Sequence, residues 1–516
     1  MTKPCWMLSV ALIGGLLMNP SGVEGASPNV IVILVDDMGW GDAQCYQSDS
    51  KIPTPHLDAL AASGVRFTDA HTPSSVCTPT RYALLTGRYP WRTWLEKGVL
   101  DGFGPPLISS DEATLATMLR EKGYATACVG KWHLGMDWYD VDGNPMGVRG
   151  EGGFRPGENV DFEREITGGP NDVGFDRYFG ISASLDMSPY LYLRDRKVET
   201  MPTEWHEQIQ DTIFLNGVSG VKSPGFDVHD VLGRFGDEAV AEIESHADGE
   251  KPFFLYLPLN SPHLPVAPAD HARGKSEAGE YGDFMWETDE VVGRVMEALE
   301  RTGQRDNTLL IFTSDNGGLW HYWDFPAADD GGRSGVKARG NYVREFEHQS
   351  NADWRGTKAD IFEGGHRVPF IVSWPAKIEG GRVSDALVEV TDVFATVAEV
   401  VGAEARRGTS GMDSVSFLAV LTREGEAKRS FAVHHSLGGM FAIRRGDWKL
   451  IEGRGSGGFT RPNFIAPKEG EPPGQLYHLG DDPQERENVW QKNGETVEQL
   501  QDLLDRIRVS SATEAR

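Results

Sequence analysis

The sequence predicts an α/β protein: a large doubly wound, mostly parallel sheet flanked by helices, with a small C-terminal antiparallel sheet and a covering helix. Three observations predict it. Five short apolar runs rich in β-branched or aromatic residues, at 30–35, 124–129, 253–257, 309–313 and 370–374, read as strands buried on both faces. Helical patterns fall between them. Beyond about residue 410 the pattern changes to short strands closed by one amphipathic helix.

Taken in order, residues 1–25 read as a secretory signal, with Lys3 before an apolar run at 6–18 and small residues at 23–25. A membrane anchor is the alternative, but the run is short for a bilayer. Export to a periplasm or beyond is expected, with no stable membrane span. Residues 55–63 form a helix ended by Gly64. The stretch Cys77-Thr78-Pro79-Thr80-Arg81 opens the next, with Thr78 as cap, Pro79 in the first turn and Gly87 as the stop. Cys77 then lies just ahead of a helix N-terminus, where free N–H groups attract negative charge, and Arg81 is one turn away. An anionic substrate at Cys77 follows.

Residues 109–122 open on a Ser109/Glu112 capping box and stop at Gly123. Residues 283–302 carry Val291, Val295 and Leu299 on one face, and 391–401 repeat the pattern before Gly402. Strands at 431–433, 440–444, 448–451 and 475–479 build the small sheet, and a helix over 496–509 turns Val497, Leu500, Leu504 and Ile507 inward. The expected division is a signal at 1–25, a catalytic α/β domain at 26–410 and an α+β unit at 411–516.

The 516 residues include 77 acidic and 50 basic, a net charge of −27, which argues against nucleic acid as partner. An anionic substrate must therefore be drawn in by a local basic pocket against an unfavourable field. Of four cysteines, Cys5 leaves with the signal. Cys45 and Cys128 then form either a disulfide or two buried thiols, since spacing alone does not establish a bridge.

Ligands of open α/β sheets bind outside the carboxyl ends of the strands. Four of the runs release polar residues there: Asp36-Asp37; Lys131 and His133; Asn260, Ser261 and His263; Asp315-Asn316. Asp36, Asp37, Asp315 and Asn316 offer hard oxygen donors that suit Ca²⁺ or Mg²⁺ better than Zn²⁺. Lys131 and His133, between Gly130 and Gly135, would serve a phosphate or a sulfate. His263 is held between Pro262 and Pro265, and Lys358 lies near Glu363-Gly364-Gly365-His366-Arg367. His56, His71, His271, His434 and His478 read as structural. A long irregular stretch at 317–351 carries Trp320, His321, Tyr322 and Trp323, which are expected to line a substrate cleft.

Four motifs together, Asp36-Asp37-Met38-Gly39-Trp40-Gly41-Asp42, Cys77-Thr78-Pro79-Thr80-Arg81, Gly130-Lys131-Trp132-His133-Leu134-Gly135 and Thr313-Ser314-Asp315-Asn316-Gly317, resemble the type I, formylglycine-dependent sulfatases of the alkaline phosphatase-like superfamily. The likeness runs in order from about Asn29 to about Leu479. It implies that a formylglycine-generating enzyme oxidises Cys77 to Cα-formylglycine, and that Asp36, Asp37, Asp315 and Asn316 hold one Ca²⁺ per chain, with modified residue 77 completing the shell. One hydroxyl of the hydrated aldehyde would attack sulfur, stabilised by the cation, Arg81 and Lys131. His263 and Lys358 would contact the sulfate, one of them protonating the departing alcohol oxygen. His133 would then take a proton from the second hydroxyl, expelling sulfate and restoring the aldehyde. The implied substrate is a sulfated carbohydrate. A formylglycine-dependent phosphodiesterase or phosphonate monoester hydrolase is one alternative, and a catalytically silent protein that binds sulfated glycans is another.

Overall fold

The computed structural model describes residues 27–147, 155–208, 217–249, 251–321, 342–406 and 408–509; the expected signal at 1–25 lies outside them. A ten-stranded sheet forms the centre. In spatial order it runs Arg382–Ser384, Val65–Phe67, Phe370–Ser373, Thr308–Ser314, Asn29–Asp36, Phe253–Pro262, Ala125–Lys131, Arg177–Ile181, Leu193–Arg194, Lys197–Val198. The strands from Thr308–Ser314 through Arg177–Ile181 are mutually parallel. Alternate residues of Asn29–Asp36 feed two separate cores. Val30, Val32 and Leu34 face the helices Cys77–Thr86, Leu115–Glu121 and Val393–Val400, while Ile31, Ile33 and Val35 face Pro55–Ala62, Val231–Ser245 and Gly279–Arg301. Burial on both faces explains why these strands read as unbroken apolar runs.

Three local expectations are corrected. The strand Phe370–Ser373 runs antiparallel to both neighbours, Thr308–Ser314 and Val65–Phe67. The helix expected to start at Ser109 begins at Leu115, capped by Thr114 in a reciprocal box with Thr117. Glu112 instead accepts hydrogen bonds from Tyr82 and Arg88, a buried use that outcompetes the local cap. Cys77 is the first residue of its helix rather than the residue before it, with extended Val76 as the cap. Pro79 still breaks no helical bond, because the first turn's N–H groups have no partner within the helix. Gly87 ends it as expected, in the left-handed conformation at φ 63°.

The second sheet, Ala432–His435, Phe441–Arg445, Trp448–Ile451 and Gln475–His478, is antiparallel throughout. The helix Gly494–Val509 covers it with Leu500, Leu504 and Ile507. Cys45 and Cys128 are free thiols; Cys128 is buried and Cys45 partly so.

A buried polar chain ties this sheet to the segment leading into Cys77. Lys449 Nζ donates to His366 Nε2 at 3.0 Å, which leaves His366 Nδ1 to donate to His71 Nδ1 at 3.0 Å. His71 Nε2 in turn donates to Asp69 at 2.9 Å. The His434 ring stacks on His366 with centroids 3.8 Å apart and donates from Nδ1 to the Thr72 carbonyl. A proton added to His366 or His71 would set donor against donor. Burial, with the neighbouring rings and Lys449, holds His366 and His434 well below the ordinary imidazole range, and burial lowers His71 as well. In the unfolded chain each ring takes up a proton near pH 6.5. The unfolded state therefore binds more protons below that pH, and stability falls as pH drops from about 6.5, by at most about 1.4 kcal/mol per pH unit for each ring. Thermal midpoints measured from pH 8 downward should be level and then decline, with a shallower decline in His434→Gln. A decline of equal slope in that variant would contradict this assignment.

Candidate active site

The parallel register pairs Val35 with Ser314, so Asp36-Asp37 and Asp315-Asn316 leave adjacent strands at one level. The four side chains are buried. Asp37 adopts a left-handed φ of 70°, a conformation that costs a non-glycine residue about 1 kcal/mol or more. Hydrogen bonds hold it there. Its N–H donates to Asp315 Oδ1 at 3.2 Å, its Oδ1 accepts from Asn316 Nδ2 at 2.7 Å, and the Met38 N–H donates to Ser314 Oγ at 3.0 Å.

Basic groups surround these acids. Arg81, one turn into the Cys77 helix, gives Asp315 Oδ2 two hydrogen bonds at 3.1 and 2.8 Å and a third to the Lys131 carbonyl at 3.0 Å. Lys131 Nζ pairs with Asp36 Oδ2, and Lys358 Nζ with Asp37 Oδ2 at 2.8 Å. His263 Nε2 lies 3.8 Å from the same Asp37 oxygen. The Cys77 sulfur falls within 4.8 Å of carboxylate oxygens of Asp36 and Asp315. Gly130, at φ 136°, lets the strand end approach the next one; a Cβ there would lie 2.0 Å from the Pro258 carbonyl oxygen. That approach aims Lys131 inward.

His133 is buried, and its Nε2 donates to the Leu100 carbonyl at 2.8 Å. The neutral ring then keeps its lone pair on Nδ1, which has no hydrogen-bond partner among the described residues. Burial, helped by Lys131 and Arg81, keeps its pKa far below the ordinary value, so the ring is neutral at pH 7. Burial pushes the Cys77 thiol up to about 11, with Asp36 and Asp315 adding to it against Lys131 and Lys358. Burial raises Asp36 too, but Lys131, His263, Arg81 and Lys358 outweigh it and hold that carboxyl well below the usual range. Burial and the Asp36 charge push Asp315 upward.

Two donors of the acidic set are left over. Asp36 Oδ1 and Asn316 Oδ1 are buried, and neither has a hydrogen-bond partner among the described residues. An unpaired buried oxygen costs about 1–3 kcal/mol, more when charged. Two such atoms in one cluster of carboxylate and amide oxygens fit a hard divalent cation.

The ten residues Asp36, Asp37, Cys77, Arg81, Lys131, His133, His263, Asp315, Asn316 and Lys358 thus meet at one end of the sheet. Trp320 does not join them. It is buried and packs between Tyr281 and Tyr342, with centroids 6.2 and 5.2 Å away, so it belongs to the core beneath the loop. His321 is buried at 3% exposure, with Nδ1 facing the Asn351 N–H at 3.4 Å. Tyr322 and Trp323 lie outside the described residues. One contributor was missed. The Leu100 carbonyl, which sets the His133 tautomer, leaves no trace in sequence because any residue supplies one. Asn260, named in sequence with His263 at the same strand end, is buried, and both polar atoms of its carboxamide are unpartnered among the described residues.

Compared with known proteins, residues 28–403 match the sulfatase family model. The chain is 32% identical to an N-acetylgalactosamine-6-O-sulfatase of Bacteroides thetaiotaomicron, over 97% of each protein. It is 31% identical to arylsulfatase A of Bos taurus, over 94% of this chain and 86% of that one. A solved structure concerned with glycosaminoglycan metabolism by Bacteroides thetaiotaomicron superposes with a TM-score of 0.76 at 30% identity, covering 94% of this chain and 100% of the other.

Proposed function

This chain belongs to the sulfatase family and hydrolyses sulfate esters; from that premise we propose that its substrate is a sulfated carbohydrate, cleaved with a formylglycine made from Cys77 and one Ca²⁺ held by Asp36, Asp37, Asp315 and Asn316. The observation that carries this reading is the pair of orphaned oxygens, Asp36 Oδ1 and Asn316 Oδ1, in an acidic cluster beside Cys77. Charge supports it as well. Asp36, Asp37 and Asp315 match Arg81, Lys131 and Lys358 in number, so these six groups add no net positive charge to draw a sulfate into a chain of charge −27. A divalent cation supplies that field, and the hydrated aldehyde supplies two hydroxyls on one carbon.

The chain's own residues account for the rest of the proposal. Arg81 and Lys131, fixed by Asp315 and Asp36, face position 77 and stabilise negative charge developing on an oxygen there. Lys358 and His263 keep 7% and 8% exposure where Arg81 and Lys131 have none, so these two meet the incoming ester. His263 donates from Nδ1 to the Leu264 carbonyl, which turns Nε2 toward the pocket. One of the two gives the departing alcohol oxygen its proton. His133 holds a free Nδ1 lone pair and takes the proton whose loss releases sulfate. Residues 77–81 are wholly buried once folded, so the enzyme that oxidises Cys77 must act before folding, on an exported chain. Among the described residues no helix is long and apolar enough to cross a membrane.

Turnover of a sulfate monoester, a phosphate monoester and a phosphate diester, followed by free-sulfate release from a panel of sulfated mono- and oligosaccharides, tests the reading. The sulfate monoester should be turned over fastest and at least one sulfated saccharide desulfated. Preference for the diester would contradict it.

A further inference from the structure

A cleft of about 340 Å³ opens between residues 94–105 and the turn at Leu437. Its walls are built from the backbone that positions the reacting groups. Leu100 accepts the His133 Nε2–H through its carbonyl, and its N–H donates to Thr78 Oγ1, next to Cys77. On the opposite wall, Leu437 accepts from the Gly98 N–H at 3.1 Å and donates at 3.1 Å to the carbonyl of Ala359, the residue after Lys358. The cleft therefore borders the catalytic pocket on both its His133 and its Lys358 side.

Two side chains on this cleft make no side-chain hydrogen bond, ion pair or ring contact among the described residues. Trp94 lines it with 47% of its surface exposed, although burying an indole is among the most favourable uses of that side chain. Lys97 also lines it, exposed and without an ion-pair partner among the described residues. The one acid in the lining, Asp101, is already neutralised by Arg155 through hydrogen bonds of 2.6 and 2.9 Å. The cleft thus offers a flat apolar ring, one uncompensated positive charge and backbone polar groups. A sugar's apolar face stacks on such a ring and an acidic substituent pairs with such a charge.

We propose that this cleft is a binding subsite for the sugar adjacent to the one being desulfated, its ring laid on Trp94 and its carboxylate or sulfate at Lys97. The inference rests on the sulfated-carbohydrate reading above and adds to it that the substrate is an oligomer carrying a second anionic group.

The test compares a monosaccharide, N-acetylgalactosamine 6-sulfate, too short to reach a second subsite, with a chondroitin 6-sulfate tetrasaccharide. Trp94→Ala should lower kcat/KM on the tetrasaccharide roughly tenfold, mainly through KM, and leave the monosaccharide within about twofold. Trp94→Tyr should recover most of the loss. Lys97→Gln should cost roughly threefold at low salt and less as salt rises. If the Lys97 effect vanishes on a carboxyl-reduced tetrasaccharide, its partner is the carboxylate; if it persists, the partner is a sulfate. Equal losses on both substrates, or none on the tetrasaccharide, would overturn the subsite alone. A wild-type enzyme that turns over an aryl sulfate but no saccharide of the sulfated panel would overturn the carbohydrate reading and the subsite together.

Discussion

Cys77→Ser protein, produced where serine is not converted, should lose multiple-turnover sulfate release by roughly 10³-fold or more while remaining folded. The retained fold follows from the site. Cys77 is the first residue of a buried helix and makes no disulfide, so exchanging sulfur for oxygen costs stability only about 1 kcal/mol. The lost activity follows from atom balance. A serine that captured SO₃ would carry a sulfate ester on a carbon with no second hydroxyl. The neutral His133 Nδ1 would then have no proton to remove there, and the ester would persist. Alcohol release should therefore stop within one equivalent of enzyme, with the sulfate retained on the serine. Rates like those of the wild type in this variant would show that residue 77 supplies no second hydroxyl.

The second large effect concerns the acidic cluster. Asp315→Ala should abolish calcium binding and activity together, and should also destabilise the calcium-free protein. Asp315 accepts two hydrogen bonds from a fully buried Arg81, and removing it leaves that guanidinium without its main partner. Stranding a buried charge costs about 3–5 kcal/mol, and the lower end applies because Asp36 Oδ2 remains 3.5 Å from Nη2. Asn316→Ala separates the two roles. Its amide donates to Asp37 and the Gly317 carbonyl and pairs with no charged side-chain cation among the described residues, so the calcium-free midpoint should drop by only about 1 kcal/mol's worth. Calcium affinity, read by calorimetry, should nonetheless fall at least tenfold, the scale typical of altered metal sites. Unchanged calcium stoichiometry in both variants would show that the cation, if bound, is held elsewhere.

Most of the site was legible because parallel strands buried on both faces carry an unmistakable apolar pattern, and whatever follows them must lie at the same sheet edge. Asp36-Asp37, Lys131 and His133, and Asp315-Asn316 follow such runs within a few residues, and His263 lies six positions beyond its own. Direction was not legible: Phe370–Ser373 has the composition of its parallel neighbours yet runs opposite to them, since alternation and burial are the same either way. The Ser109/Glu112 box failed because a tertiary partner, Arg88 with Tyr82, competes for the same carboxylate. Trp320 misled for a related reason. An aromatic in a long loop can face a cleft or plug the core below, and only the positions of Tyr281 and Tyr342 decide between them. Leu100 and Leu437 act through backbone atoms, which every sequence supplies equally.

The proposed chemistry requires that Cys77 be converted to an aldehyde in the working enzyme. Mass analysis of the tryptic peptide 67–81 from active protein, with specific activity measured on the same preparation, tests it most directly. The predicted result is a peptide whose cysteine sulfur is replaced by a carbonyl oxygen, in a fraction that scales with activity across preparations. An intact thiol in fully active protein would contradict it.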